Sequence, residues 1–163
     1  TSFRIGDAAP QAVPAVVRLG GGDAPVDNFN HGGFIATPDE QGYLRLAYGR
    51  AADGGLESFT VHPGTGEAIA RRLPAGLLAR AQALALEAHS RIGHGFAVIG
   101  WDIGLTARGP VLIEGNWNPG TLLPQCAAGA GLSQTPAGAH YLEALESVPD
   151  HRWREAGPLQ VDW

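Results

Sequence analysis

Gly100–Gly120 reads GWDIGLTARGPVLIEGNWNPG. Two apolar, β-branched segments, Phe96–Thr106 and Pro110–Asn116, flank the short break Ala107-Arg108-Gly109, and that pattern predicts an antiparallel hairpin. Side chains alternate across a strand, so Glu114 and Asn116, two residues apart, share one face. A turn centred on 107–109 sets Asp102 directly opposite Glu114. Three oxygen-bearing side chains are therefore expected within a few ångströms of one another. Trp101, Ile103, Val111 and Ile113 are expected on the opposite face, anchoring the hairpin in the core.

Hard oxygen donors on adjacent strands, with room left for water and phosphate, are what Mg²⁺ requires. A neutral amide among them lowers the total negative charge and leaves electrostatic room for a nucleotide's phosphates. After Asn116 the chain runs Trp117-Asn118-Pro119-Gly120, a loop whose backbone N–H groups can approach an anion. On spacing alone the trio Asp102, Glu114 and Asn116 fits an ordinary solvated sheet face more often than a metal site. The apolar segments around it favour the metal reading.

Outward from the hairpin, Pro74 followed by Ala75–Arg91 predicts a helix, with Leu77, Leu78, Ala81, Leu84, Ala85, Ala88 and Ile92 on one side and Gly93 at its end. Upstream, Phe3–Ile5, Ala12–Leu19, Phe34–Thr37, Tyr43–Tyr48 and Phe59–Val61 read as short strands, separated by turns at 20–33, 38–42, 49–55 and 62–66. Downstream, Pro136–Glu146 predicts a second helix with Ala139, Leu142, Ala144 and Leu145 on its buried side. The remainder of 121–163 reads as helical or irregular, and Trp153 and Trp163 fall in a tail without period. The 24 glycines and 12 prolines are spread between apolar runs as turn punctuation. The order of elements gives an α+β class: an antiparallel sheet with helices on one face, in a single domain over 1–163.

Charge removes several functions. A formal net charge of −5 offers no basic surface for nucleic acid or anionic lipid, and no apolar run is long enough to span a membrane. All eleven basic residues are arginine. With one cysteine, Cys126, no internal disulfide is possible, and the cytoplasm is the expected compartment. Cys126 reads as packing rather than as a nucleophile. No Gly-x-Ser-x-Gly and no Walker-type Gly-Lys-Ser/Thr occurs. His62 reads as a turn residue, His89 as a helix-end residue facing the last carbonyls, and His94 as a loop residue. His31 alone sits close to a candidate phosphate loop. Trp117 either lines a cleft or covers the hairpin. The absence of methionine and the opening Thr-Ser-Phe-Arg-Ile suggest a fragment or processed chain.

Asp on one strand, Glu-x-Asn on the next and Pro-Gly shortly after resemble the C-terminal lobe of the ATP-grasp superfamily. The wording Gly-Trp-Asp-Ile and Gly-Pro-Val-Leu-Ile-Glu-Gly-Asn is most similar to its sugar-transfer-associated family, related to α-L-glutamate ligases. The order Arg4, Arg18, Asp27-Asn28-Phe29 and Gly32-Gly33 follows that family, as do His62-Pro63-x-Thr65-Gly66 and Ala88-His89. Gly104 stands where the family leads one to expect Ala. The resemblance spans Arg4–Gly120. It implies ATP and two Mg²⁺ ions as cofactors, the metals held by Asp102, Glu114 and Asn116. It further implies Arg4 or Arg18 at a phosphate or acyl phosphate, and the loop of Asn28, His31, Gly32 and Gly33 near the γ-phosphate. The implied activity is a carboxylate–amine ligase that activates a carboxylate substrate as an acyl phosphate. Such a fold also needs a preceding lobe with lysines, a glycine-rich lid and an adenine-holding segment. Without them the chain is expected to be inactive alone, or to be a non-catalytic solitary module that docks a partner lobe. A half-domain should also expose apolar surface, so self-association is an expected possibility.

Overall fold

The structure is a computed structural model that describes residues 1–13, 15–22, 28–93 and 95–151. Asp27, His94 and the two tail tryptophans lie outside the described residues. Among the described residues, ten strands form antiparallel pairs in three sheets, giving the expected α+β class. The first sheet contains β1 (Ser2–Phe3), β2 (Gln11–Ala12), β9 (Val98–Thr106) and β10 (Gly109–Asn116), in the order β10-β9-β1-β2. The second contains β3 (Val17–Leu19), β4 (Phe34–Ala36), β6 (Ala47–Arg50) and β7 (Leu56–Phe59), paired in that order, and β5 (Tyr43–Leu44) pairs with β8 (Arg71–Arg72). The run Ala12–Leu19 is thus not one strand. It divides between two sheets with Pro14 in the sequence between them, and a proline cannot donate to a ladder. That division carries Arg18 from the first sheet to the second.

Helices pack on both faces of the first sheet rather than on one. Ser2 pairs with Ile99 and Phe3 with Val98, so these neighbours point to opposite sides. On one side lies α1 (Leu77–Ile92), whose buried stripe is Leu77, Ala81, Ala85, Ala88 and His89. Its small residues let the backbone approach closely: a Cβ added at Gly93 would stand 2.8 Å from Ile99 Cδ1. Ile92 is exposed, because Gly93 ends the helix just as that side turns from the sheet. On the other side Phe3, Val13 and Val98 pack with Ala144 of α3 (Pro136–Glu146), with Tyr141 and Leu145 partly buried against them. Leu142 faces solvent instead. A short helix, α2 (Leu122–Ala128), shows no readable period in seven residues, and its Pro124 sits in the first turn, where no backbone donor is needed. A second core gathers Phe34, Ala36, Leu44, Ala47 and Ile69.

His89, expected near the last carbonyls of the helix, is fully buried and ties three elements together. Its Nε2 lies 3.0 Å from the Phe96 carbonyl, which can only accept, so in the neutral ring Nδ1 is the acceptor. The Ser2 hydroxyl then donates to Nδ1 over 2.7 Å while accepting from Trp101 Nε1 at 2.7 Å. Every polar atom in the chain of contacts has a partner, and Trp101 is fixed immediately beside Asp102. Replacing His89 by Ala strands the Ser2 hydroxyl and opens a cavity, for an expected loss of about 2–4 kcal/mol. His31→Ala, at an exposed site, should change stability by less than about 0.5 kcal/mol. Chemical denaturation of the two variants checks this, and equal midpoints would remove the structural role of the network.

Candidate metal and phosphate face

The hairpin reaches the expected pairing by an unexpected route. The turn is one residue tighter than 107–109: Thr106 already pairs with Gly109, whose φ of +122° is a conformation that favours glycine. Arg108 N donates to Thr106 Oγ1 and that hydroxyl donates to the Gly109 carbonyl, at 3.2 and 2.7 Å. In this register Val111 opposes Gly104 and Leu112 opposes Ile103. Continued unchanged, it would set Ile113 opposite Asp102 and turn Glu114 to the other face. A bulge between Leu112 and Glu114 inserts Ile113 unpaired, and the ladder resumes with Glu114 opposite Asp102 and Asn116 opposite Gly100.

The same shift moves two apolar side chains. Val111 and Ile113, expected behind the hairpin in the core, are instead 52% and 68% exposed. Val111 opposes Gly104, which shares the Asp102 face, and a Cβ added at Gly104 would stand 3.3 Å from Ile113 Cδ1. Gly104 in place of Ala therefore makes room for the bulged side chain. Behind the hairpin the packing is Trp101 against Gly115, where an added Cβ would come within 2.6 Å of the indole. Trp117 is largely exposed.

Asp102, Glu114, Asn116 and Arg18 come together. Arg18 of β3 places Nη1 2.8 Å from Asp102 Oδ2, in an ion pair about one-third exposed on both partners. Asn116 Nδ2 donates to Glu114 Oε1 at 3.2 Å, and both residues are exposed. Pro119 folds over Gly100, 2.5 Å from where a Cβ would stand, so the loop after Asn116 closes one end of the donor row. Two carboxylates, one amide and one guanidinium leave this face with a single net negative charge and open oxygen lone pairs. Among the described residues no three His, Cys, Asp or Glu side chains form a metal-like cluster. The donors that this face does offer are oxygens, from two carboxylates and one amide.

Arg4 is not brought to this face. It follows Ser2 and Phe3 on the α1 side, where Nη2 donates to the His89 carbonyl at 3.4 Å and Nε is buried without a hydrogen-bond partner. The Asn28–Gly33 loop sits at the end of β3 and β4, continuous with the Arg18 strand through the pairing of Leu19 with Phe34. Asn28 caps a 3-10 turn over Phe29–His31, accepting from Asn30 N at 3.0 Å. Its carbonyl accepts from His31 N and Gly33 N. Gly32 takes φ +86°, Gly33 is buried, and the His31 side chain is exposed. His62 is the turn residue that the sequence suggests: Nε2 reaches the Gly20 carbonyl at 2.7 Å, and Nδ1 accepts from Gly64 N and Thr65 N. It thereby pins the glycine loop 20–22 beside Gly32. No sequence signal identifies the bulge, because Leu112-Ile113-Glu114 reads as an unbroken strand.

The family profile described as sugar-transfer associated ATP-grasp matches residues 5–139. No curated protein and no solved structure matches the chain.

If Ile113 and Val111 are surface residues, Ile113→Ser and Val111→Ser should each change unfolding free energy by less than about 0.5 kcal/mol. Ile35→Ala, at a site 1% exposed, should cost about 2–5 kcal/mol. Denaturant midpoints test the contrast, and a large loss at Ile113 would restore the buried hairpin face.

Proposed function

The chain belongs to the sugar-transfer-associated ATP-grasp family, and from that premise we propose that the Asp102–Glu114–Asn116 face is the Mg²⁺- and phosphate-holding part of an ATP-dependent carboxylate–amine ligase. The observation that carries the reading is the pairing of Glu114 with Asp102 beyond the bulge, with Arg18 on the Asp102 carboxylate. Mg²⁺ held by these three side chains would offset the charge of the ATP phosphates during phosphoryl transfer.

The chain's own residues divide the remaining work. Arg18 keeps Asp102 in position and offers further guanidinium N–H groups to a phosphate or acyl phosphate oxygen. We assign this role to Arg18 rather than Arg4, whose contacts fix the end of α1 to the sheet. The Asn28 and His31 side chains, on the Gly32-Gly33 loop, are the chain's contributions near the γ-phosphate. The chain contains no lysine, so the lysines that grip ATP phosphates in this superfamily come from a preceding lobe. The isolated chain accordingly binds Mg·ATP weakly and turns nothing over, and its partners in the complete enzyme are that lobe, ATP and a carboxylate substrate.

Mn²⁺ is a paramagnetic substitute for Mg²⁺, and titrated into the isolated chain it should broaden the amide resonances of residues 102, 114 and 116 before others. Glu114→Gln should remove that broadening at the same metal concentration. Broadening centred elsewhere, or unchanged in the variant, would sink the metal assignment. In the longer ligase, Mg²⁺-dependent ADP release should collapse with the same substitution; unchanged release would sink the metal assignment.

A further inference from the structure

A cavity of about 180 Å³ lies beside the donor row, between the first residues of the chain, the end of β4 and the segment that follows Pro119. Val13, Ala15, Pro119, Pro124, Ala128 and Leu132 give it an almost wholly apolar wall. Gln125 and Thr135, two of the polar side chains around it, are already engaged. Gln125 Nε2 donates to the Thr121 carbonyl and hydroxyl, and its Oε1 accepts from Leu132 N. The Thr135 hydroxyl donates to the Leu132 carbonyl and accepts from Gly138 N. Burial at Tyr141, on the same wall, pushes its phenol above the usual value.

The segment after Asn116 fixes the cavity against the functional face: Pro119 lines it and packs over Gly100, directly opposite Asn116. A cavity of this size walled by apolar groups suits a benzene-sized or branched aliphatic body, since an engineered apolar cavity of about 150 Å³ stays dry and takes up benzene.

We propose that this cavity seats the apolar body of the carboxylate substrate, an aliphatic or aryl-substituted acid, with its carboxylate directed toward the Asp102–Asn116 row. The assignment rests on the ligase reading and deepens it by naming a substrate class. Pro119, Pro124 and Leu132 supply the contact surface, and α2 supplies the wall that the substrate's chain lies against. Selectivity then follows from burial: a second charge on the substrate would be desolvated without compensation.

The test uses 3-phenylpropanoate and succinate as probes on the isolated chain, with ligand-observed NMR as the readout and no nucleotide present. Phenylpropanoate should bind at least about tenfold more tightly than succinate. Ala128→Trp and Ala15→Trp, which fill the cavity from different walls, should each abolish that preference while keeping a cooperative unfolding transition. The Mn²⁺ broadening at residues 114 and 116 should persist in both. Equal binding of the two acids, or an unaltered preference in a folded filling variant, overturns the proposal. Loss of Mn²⁺ broadening in Glu114→Gln with the aryl preference intact leaves the cavity supported, whereas broadening at the wrong residues with that preference intact refutes the metal reading alone.

Discussion

One extra residue in β10 governs what this fold presents to solvent. Strand side chains repeat every two residues, so an uninterrupted ladder from the tight turn at Ala107-Arg108 would send Glu114 behind the sheet toward α1. The unpaired Ile113 absorbs that odd count, and Glu114 and Asn116 emerge on the side of Asp102. Bulges are known to re-aim side chains in this way. The structure accommodates it at identified points: Gly104 leaves space for Ile113, and Gly115 leaves space for Trp101 on the reverse. A methyl group at Gly115 would collide with the indole that also anchors Ser2 and His89. The shape of the functional face is therefore coupled to a buried hydrogen-bond chain on the other side of the same strands.

β9 is the member common to all of this. Its first residues are core: Val98 and Ile99 are each 5% exposed, held between α1 and α3. Its later residues become progressively more exposed, and Asp102 lies among them. Donors placed on a regular strand rooted in packed structure are more precisely set than donors on loops. The electrostatics follow the same division. Asp102, the half-buried carboxylate, has Arg18 against it at 2.8 Å, whereas Glu114 is exposed and accepts from the Asn116 amide. Charge that would be costly to leave uncompensated is compensated, and charge that water can solvate is left available.

The parts of this fold that were legible in the sequence are those set by short-range periodicity. The hairpin, the helix from Leu77 and the helix from Pro136 each announce themselves by spacing and by Gly or Pro at their ends. The approach of Arg18 to Asp102 was not legible, since 84 residues separate them; the resemblance implied only that Arg4 or Arg18 meets a phosphate. Long-range parity was not legible. Whether the turn takes two residues or three, and whether one residue is then left over, alters no hydrophobic pattern in Pro110–Asn116, yet it decides the side on which Val111 and Ile113 emerge. His89 reads only as a helix-end residue for a similar reason: Ser2 and Trp101, which bury it, come from two other segments. The helix α2 was missed because seven residues with an internal proline carry too little pattern to register.

The exposed apolar side chains are best understood together with the donors rather than as imperfections of packing. Val111, Ile113 and Trp117 are each more than half exposed, and all belong to the same hairpin and the loop that leaves it. Single exposed apolar residues are ordinary, but on the proposed reading this group, bordering a polar row, would be covered by the rest of the ligase. Such an arrangement would separate two tasks across one face: oxygen donors at 102, 114 and 116 would take up charge, and the apolar border would exclude water from them. Exclusion of water strengthens every charge interaction inside, which is what a site relying on charge neutralisation needs. The bulge serves both tasks at once, since the residue that restores Glu114 to Asp102 is the same residue whose side chain extends the apolar border.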